Sequence, residues 1–190
     1  MRKTLALLVF VGYLNSANAQ LQWGANAGVN ISRISVDNNA KPLLSFQSSA
    51  FAMMPASKLL AVQAALGYHR KGYKQSYWLT TDSVRHTFAH YDYIELNNYA
   101  LLKCNASDDY RLYAGLGVYL AYLIKAEFRE YRISLDRVHR FDLGANISVQ
   151  MMIHQRWTIA LASDMGGWDP FRGTSNLNFS AGITMGYFIN

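Results

Sequence analysis

Five histidines are the side chains of this sequence best suited to bind a metal ion or to transfer protons: His69, His86, His90, His139 and His154. His86 and His90 lie four positions apart, a spacing that brings two imidazoles onto one face of a helix. Their segment instead has the pattern of a loop entering a strand, where residues four apart are separated by about 13 Å. One metal ion does not reach across that distance unless the chain bends. The sequence therefore predicts no metal site and no cofactor.

Nucleophilic side chains give no stronger indication of catalysis. No serine stands in a G-x-S-x-G sequence, the pattern of a serine held on a sharp turn. Ser83 and His86 are close in sequence, but in a loop they are more simply a solvated hydroxyl and imidazole. Cys104 ends a strand with no histidine close in sequence to activate it, so we predict a buried small residue there. We predict no catalytic residues, and a hydrolase remains the enzymatic alternative.

The elements that position these side chains have the alternation of β-strands. The C-terminal segment 176–190 alternates apolar residues such as Phe179 and Ile183 with small or polar ones, and 142–153 repeats the pattern. Period two with one apolar face is typical of a strand that separates two environments. Eight segments have this character: 23–34, 43–54, 59–72, 88–104, 110–128, 142–153, 156–164 and 176–190. The sequence predicts an all-β, antiparallel, up-and-down arrangement of eight strands.

The connections between these segments alternate in length. Three are short: 55–58, 105–109 and 154–155. The other four are longer: 33–42, 71–87, 129–140 and 165–175. Barrels of bacterial outer membranes have this asymmetry, with short periplasmic turns and long extracellular loops. The pattern favours an eight-stranded transmembrane β-barrel over a soluble lipid-binding barrel, which has no such requirement.

The N-terminus predicts export. Arg2 and Lys3 precede an apolar run that ends in Ala17-Asn18-Ala19, the order of a secretory signal peptide. We expect residues 1–19 to be removed, leaving 20–190 as one barrel domain. No later stretch reaches the roughly 18 apolar residues of a transmembrane helix. Cys104 is the only cysteine, so no disulfide framework stabilises the domain.

Aromatic residues fall near the predicted strand ends, as in the girdles that flank the apolar band of a membrane barrel. We assign one group to the periplasmic boundary: Trp23, Tyr113, Trp157 and Tyr187. We assign the other group to the outer boundary: Tyr68, Phe88, Tyr91, Tyr93, Phe128, Phe141 and Phe179. The alternative is that these aromatics form the core of a soluble sandwich.

The charge balance is modestly basic. The formal net charge of +6 falls to +4 when Arg2 and Lys3 leave with the signal peptide. The basic residues of the predicted long loops are Arg33, Lys41, Arg70, Lys71, Lys74, Arg85, Arg129, Arg132, Arg137, Arg140 and Arg172. The acidic ones are Asp37, Asp82, Glu130, Asp136 and Asp169. An exported chain seldom meets nucleic acid, so phosphates of lipopolysaccharide are the expected partner, with ordinary solvated charges as the alternative.

An eight-stranded barrel has a lumen just wide enough for its own side chains, so we expect no general pore. Five charged residues are predicted to face that lumen: Glu95, Lys103, Lys125, Asp142 and Asp164. Buried charges need partners, and we predict a pair between Lys125 and Asp142 on adjacent strands. A proton or ion pathway is the alternative, but no acidic or histidine ladder continues along one strand.

Several short motifs, in order, resemble the PorT-like outer-membrane β-barrel family of Bacteroidetes, within the class of small OmpA/OmpX-like barrels. They are Ala27-Gly28-Val29-Asn30 with Ser32, Ala65 to Gly72, Tyr93-Ile94-Glu95-Leu96, Tyr113 to Tyr119, Asp142-Leu143-Gly144 and Gly186-Tyr187-Phe188. The likeness covers most of the mature chain. Asn97-Asn98 stands where the family usually has proline after its Tyr-x-Glu-x element.

The resemblance implies the fold and an outer-membrane location, but it does not imply one activity. The leading hypothesis is a monomeric, non-enzymatic envelope protein that contacts lipopolysaccharide or partner proteins through its basic loops. The alternatives are a PorT-like accessory of the type IX secretion and gliding machinery, a lipid-modifying outer-membrane enzyme, and a soluble periplasmic lipid-binding barrel.

Overall fold

The computed structural model describes residues 21–34, 40–80, 83–107, 109–128, 131–132, 139–167 and 178–189. The predicted signal peptide lies outside them. The strands are β1 (Gln22–Ile34), β2 (Lys41–Pro55), β3 (Leu60–Thr80), β4 (Ser83–Ala106), β5 (Tyr110–Phe128), β6 (Tyr131–Arg132), β7 (Phe141–Ile153), β8 (Trp157–Gly166) and β9 (Asn178–Phe188). No helix among these residues has the length and hydrophobicity needed to cross a membrane.

Eight of the strands form a closed antiparallel barrel. The hydrogen-bonded order is β4-β3-β2-β1-β9-β8-β7-β5, and a further pairing of β4 with β5 joins the two ends. The short β6 adds only to the far end of β5, where Glu127 pairs with Arg132. Closure leaves no free sheet edge around the wall, so the predicted eight-stranded up-and-down barrel is confirmed.

The two ends of the barrel differ, as the sequence predicts. The end that carries both strand termini Gln22 and Phe188 has only short turns, and we call it the turn end. At one of these turns His154 and Gln155 both have positive φ, 48° and 57°, the conformation of a type I′ hairpin turn. The opposite end, called the loop end, carries the connections that follow β1, β3, β5 and β8.

One predicted long loop is wrong. Most of segment 71–87 is not irregular, because β3 continues to Thr80 and β4 begins at Ser83. The two strands pair from Leu60 with Leu102 to Thr80 with Ser83. The polar side chains of this segment resemble a loop in sequence, but a strand that extends beyond the membrane band needs no apolar face. The result is a long hairpin whose tip has no other partner strand among the described residues.

Apart from a register shift near the tip of the β3–β4 hairpin, three irregularities in the described ladders change which residues face inward. In the pairing of β4 with β5, Cys104 and Ile124 are each an extra residue without an opposite number. Between β2 and β3, pairing stops after Gln47 with His69 and resumes at Pro42 with Tyr73. A bulge reverses the inside and outside positions beyond it. We call the interval between β2 and β3, residues 43–46 and 70–72, the seam.

The interior is filled in layers. An apolar cluster closes the turn end: Phe51, Met53, Ala61, Ala65, Tyr99, Leu101, Tyr113, Met152 and Phe188. A second cluster, rich in tyrosine, fills the loop end: Ala40, Tyr73, Ala89, Tyr91, Tyr93, Tyr119, Ala121, Leu123 and Ala126. Polar and charged side chains lie between them. The lumen is therefore packed with side chains, as an eight-stranded barrel requires.

The outer wall is apolar. Its exposed side chains include Val29, Leu44, Leu66, Leu116, Leu120, Ile147, Leu161 and Ile183, which form an apolar belt. Trp23, Trp157 and Tyr187 lie outward at the turn end, as the girdle prediction requires. Three predicted girdle residues face inward instead, because strand parity directs Tyr91, Tyr93 and Tyr113 to the lumen.

Candidate functional site

The most unusual side chain of the interior is a completely buried lysine. Lys71 lies on β3, where alternate residues from Ala61 to Tyr73 face the lumen, and its side chain is 1% exposed. Its Nζ lies 4.3 Å from the ring centroid of Tyr119 and 5.8 Å from that of Tyr93. A buried ammonium needs compensating charge, and aromatic faces supply part of it.

Three carboxylates in the lumen supply the rest. Lys71 Nζ lies 2.7 Å from Glu95 Oε2 on β4 and 3.8 Å from Asp164 Oδ2 on β8. Asp142 on β7 accepts hydrogen bonds at Oδ2 from the Tyr119 hydroxyl, at 2.8 Å, and from Asn178 Nδ2, at 3.2 Å. We call His69, Lys71, Glu95, Asp142 and Asp164 the lumenal cluster.

Gly166 leaves room for the Tyr119–Asp142 hydrogen bond. A Cβ atom at this position would lie 2.6 Å from the Tyr119 hydroxyl and 2.8 Å from both carboxylate oxygens of Asp142. Those separations are shorter than real Cβ contacts, so a larger residue would displace the pair. The glycine is needed here for close approach, although its backbone is ordinary strand.

His69 completes the cluster from β3. Its Nδ1 lies 3.2 Å from Glu95 Oε1, and the residue is 8% exposed. Two neighbours orient the carboxylates, since Asn97 Nδ2 donates to Glu95 Oε1 at 2.9 Å and Ser180 Oγ donates to Asp164 Oδ2 at 2.8 Å. These bonds hold the oxygens in defined positions toward the centre of the lumen.

The cluster has more acidic than basic groups. Glu95, Asp142 and Asp164 face the one ammonium of Lys71, so three ionised carboxylates and this ammonium sum to minus two. Several oxygens there also lack a hydrogen-bond partner among the described residues, including Asp142 Oδ1, Asn146 Oδ1 and Asn178 Oδ1. Surplus negative charge in a closed interior attracts protons or cations.

A small cavity borders the cluster on the side of the turn end. Its volume is about 50 Å³, and His69 and Asp164 form part of its wall. Amide and hydroxyl side chains such as Gln47, Gln63 and Thr184 line the remainder. A polar space of this size holds roughly three waters. The cavity is too small for an organic substrate, so the interior is suited to water and ions.

Side chains of β1 close the seam. Ser32 Oγ accepts a hydrogen bond from the Gly72 backbone N–H at 2.7 Å and lies 3.1 Å from the Gly72 carbonyl. Asn30 Nδ2 donates to the Arg70 carbonyl at 3.0 Å. The interrupted ladder leaves backbone groups that need partners, and these two side chains provide them from inside the barrel.

The structure corrects several predictions about charged residues. Glu95, Asp142 and Asp164 face the lumen as predicted. The predicted Lys125–Asp142 pair is wrong: the bulge at Ile124 changes the strand parity, and Lys125 Nζ pairs with Glu127 Oε1 at 2.7 Å. Lys103 is half-buried at the turn end.

Lys71 is the residue whose predicted environment differs most from the one in the structure. The sequence assigns it to an external loop, because a lysine beside Arg70 indicates a solvated end of a strand. Its odd-numbered position in β3, two residues after the inward-facing His69, was the available signal for burial. Arg70 does lie on the outer wall, where Nε is 2.7 Å from Asp92 Oδ1.

The remaining predicted candidates do not come together. His90 is half-buried near Phe88, while His139 and His154 are exposed. The side chains of Ser83 and His86 lie outside the described ones. Cys104 is exposed rather than buried, because the bulge at this residue places it outside the ladder.

The comparisons with known proteins agree with this architecture. A family model described as "Outer membrane protein beta-barrel domain" matches residues 15–166. The chain belongs to this outer-membrane β-barrel family. The comparison with curated proteins gave no match.

Solved structures show the same fold. This outer-membrane barrel superposes on neisserial surface protein A with a TM-score of 0.51 and 10% identity, covering 87% of this chain and 96% of that one. Ail of Yersinia pestis, solved in complex with the heparin analogue sucrose octasulfate, gives a TM-score of 0.50 and 12% identity, with 89% and 99% covered. At these identities the likeness is one of fold.

Membership of this family places the apolar belt in lipid. Outer-membrane barrels have short turns on the periplasmic side, so the loop end of this barrel is external. The lumenal cluster then lies inside a membrane-spanning wall, between the two apolar clusters. The chain is an outer-membrane protein.

Proposed function

We propose that this outer-membrane barrel is non-enzymatic and that its external end contacts the phosphates of lipopolysaccharide. The packed lumen supports this, because among the described residues apolar clusters at both ends fill the space that an organic solute would need. Interaction with molecules larger than water and simple ions must then occur at the wall and the rims. On the external rim, Lys41 is exposed and Lys74 is half-buried beside it.

A pair of lysines at the loop end is the observation that carries the proposal. Lys41 of β2 and Lys74 of β3 are directly opposite one another in the ladder. Like charges in this arrangement repel, since directly opposed Cβ atoms lie about 5 Å apart. Neither lysine has a carboxylate within ion-pairing distance among the described residues. An anion bound between them would relieve the repulsion.

Arg70 provides a contrast on the same strand. Its guanidinium makes two bonds to Asp92, Nε to Oδ1 at 2.7 Å and Nη2 to Oδ2 at 3.1 Å. It also lies 5.3 Å from the ring centroid of Phe46. The Arg70 charge is compensated by a carboxylate, whereas among the described residues Lys74 Nζ has only an aromatic contact, 5.6 Å from the ring centroid of Phe88. The charges of Lys41 and Lys74 remain available to phosphate.

The fold has a precedent for anion binding in Ail, whose structure was solved with sucrose octasulfate. That precedent concerns the barrel architecture, because the sequence identity is only 12%. The position of the anion on this chain is argued from Lys41 and Lys74 alone. Other exposed cations of the loop end, Arg33 and Arg140, enlarge the basic surface.

Charge reversal tests the proposal. The purified barrel in detergent is titrated with lipopolysaccharide and with enzymatically dephosphorylated lipopolysaccharide. The K41E/K74E variant should bind intact lipopolysaccharide at least about tenfold more weakly, a loss of about 1.4 kcal/mol. Lys58 is exposed at the turn end, so K58E is the matched control and should bind normally. Equal binding of the intact and dephosphorylated forms would contradict the proposal.

A second candidate function is binding of a protein partner, including a role as a PorT-like accessory of secretion machinery. The hairpin of β3 and β4 supports it. Beyond Lys74 the backbone of β3 pairs only with β4, and it continues for about 20 Å at roughly 3.3 Å per residue. Unpaired strand edges can add a strand from another polypeptide.

Shortening the hairpin separates the two candidates. Ser76 and His86 are opposite in the ladder, so residues 77–85 can be replaced by Asn-Gly without changing the strands below. Loss of a co-purifying envelope protein with unchanged lipopolysaccharide binding would favour the partner role. Retention of every co-purifying protein would exclude the hairpin as the contact.

We also propose that residues 1–19 are a cleaved signal peptide and that the mature barrel, 20–190, is monomeric. The family match from residue 15 onward is consistent with a barrel that starts near this boundary. The intact mass of the protein from outer membranes, with light scattering in detergent, tests both statements. A mass that includes the first 19 residues, or a dimeric particle, would contradict them.

A further inference from the structure

Three side chains of the lumenal cluster form a compact set of metal ligands. One ring nitrogen of His69, one oxygen of Glu95 and one oxygen of Asp164 all lie within 4.8 Å of one another. An imidazole with two carboxylates is a donor set typical of Zn²⁺ and related first-row divalent ions. We propose that the lumen binds one divalent transition-metal ion, with Zn²⁺ as the reference, through His69, Glu95 and Asp164. This differs from the sequence-based expectation of no metal site.

The buried imidazole of His69 supports the metal site independently of the acidic residues. His69 is 8% exposed, and its Nδ1 has no hydrogen bond of acceptable geometry within the described residues. Nevertheless it lies 3.2 Å from Glu95 Oε1. Nitrogen and oxygen ligands at about 2.1 Å from a tetrahedral Zn²⁺ are separated by roughly 3.4 Å. The 3.2 Å between His69 Nδ1 and Glu95 Oε1 is close to this separation, so both atoms can reach one ion with little movement.

The charge balance of the lumen favours a bound cation at the same place. Three carboxylates and one ammonium leave two negative charges, which one divalent cation neutralises. Glu95 can serve both cations because its oxygens face different partners: Oε1 lies toward His69 and Oε2 lies 2.7 Å from Lys71 Nζ. Lys71 and Asp142 then compensate one another's charge within the cluster.

The surroundings provide the rest of a coordination shell. The cavity of about 50 Å³ reaches His69 and Asp164, so water can fill the positions that protein ligands leave open. Asn97 donates to Glu95 and Ser180 donates to Asp164, which fixes the orientation of both carboxylates. Such supporting bonds are typical of metal sites and contribute to their affinity.

An ion at this position would join distant parts of the wall. His69 and Glu95 lie on the neighbouring strands β3 and β4, whereas Asp164 lies on β8, with β5 and β7 between them in the ring. These ligands come together only in the closed barrel. Metal binding should therefore stabilise the folded state by mass action, because the unfolded chain has no preformed site.

The test uses the mature barrel, refolded in detergent without a histidine tag and treated with a chelator. Isothermal titration with ZnCl₂ and elemental analysis after gel filtration should give about one Zn²⁺ per barrel. H69A and D164N should each weaken binding by at least about 100-fold, more than loss of a supporting residue causes. H154A removes an exposed histidine at the turn end and should leave binding unchanged. D142N removes the same charge as D164N without removing a ligand, so it should weaken binding much less than D164N does.

Each variant is first checked for the heat-dependent gel migration of a folded barrel. If the folded wild-type barrel binds no Zn²⁺ at micromolar concentrations, the proposal is wrong. It is also wrong if folded H69A and D164N bind as the wild type does. Should either variant fail to fold, X-ray absorption of the Zn²⁺-loaded wild type decides the question. One imidazole with oxygen ligands supports the site, and any other ligand set contradicts it.

Discussion

The turn-end and loop-end halves of the barrel are stabilised in different ways. The turn-end half has a nearly regular ladder and is closed by an apolar cluster, in which Phe51 meets Phe188 edge to face with ring centroids 5.0 Å apart. The loop-end half contains the seam, the bulge at Ile124 and the buried Lys71 with its carboxylates. Regular β-sheet physics accounts for the first half, whereas the second depends on specific polar partners. Departures from local rules of this kind tend to mark functional regions.

Removing the buried ammonium of Lys71 should cause the largest loss of unfolding free energy among the variants that test this contrast. K71M keeps most of the side-chain volume but leaves Glu95 and Asp164 without their cation. Breaking a buried ion pair from one side costs about 3–5 kcal/mol. The free energy of unfolding in urea, measured in lipid vesicles by tryptophan fluorescence, should fall by this amount. Adding E95Q should recover part of the loss; no recovery would show that the charge is not the cause.

Placing a charge on the outer wall should cause the next largest loss of unfolding free energy. Leu116 is 70% exposed within the apolar belt on β5. In the membrane L116R should cost about 2–4 kcal/mol of unfolding free energy, because arginine is placed against acyl chains. The control L116A creates no such charge and should cost much less. If L116R is as stable as L116A in vesicles, this part of the wall does not face lipid.

Loss of a side-chain hydrogen bond at the seam should cost more unfolding free energy than loss of a comparable bond in the turn-end half. S32A leaves the Gly72 N–H without its acceptor and should cost about 1–3 kcal/mol. Ser49 Oγ donates to Asn26 Oδ1 at 2.8 Å near the turn end, and S49A should cost only about 1 kcal/mol. The same urea measurement compares the two variants. A larger loss for S49A would contradict the special role of the seam.

The smallest effect is expected at the turn between β7 and β8. His154 Nε2 lies 3.6 Å from Asp109 Oδ1, and both side chains are largely exposed. Exposed pairs of this kind contribute little, so H154A should change the unfolding free energy by less than about 0.5 kcal/mol. A larger loss would place a stabilising interaction in the half that we describe as independent of polar partners.

The sequence was sufficient to predict the eight barrel strands, because the alternation of apolar and polar residues is a local signal. The predicted bounds of β5, Tyr110 and Phe128, coincide with the structure, and all eight barrel strands were identified. Bulges are not visible as a change of composition, so Lys125 and Cys104 were assigned to the wrong environments. The polar extension of β3 and β4 lacked an apolar face and was predicted as a loop.

The lumenal cluster could be predicted only in part. The alternation of inward and outward positions was enough to predict that Glu95, Asp142 and Asp164 face the lumen, since each lies on a clearly alternating strand. Their meeting with His69 and Lys71 depends on ring closure and on the stagger between distant strands. Those quantities are non-local, and one sequence does not specify them.

The central claim is that the interior of this outer-membrane barrel is a packed core that holds charge rather than a pore. Recording the current across a planar lipid bilayer that contains the purified, folded barrel tests this claim most directly. The apolar clusters at both ends predict a baseline without stepwise conductance in potassium chloride. Steady single-channel openings, present with the folded barrel and absent with a heat-unfolded sample, would contradict it.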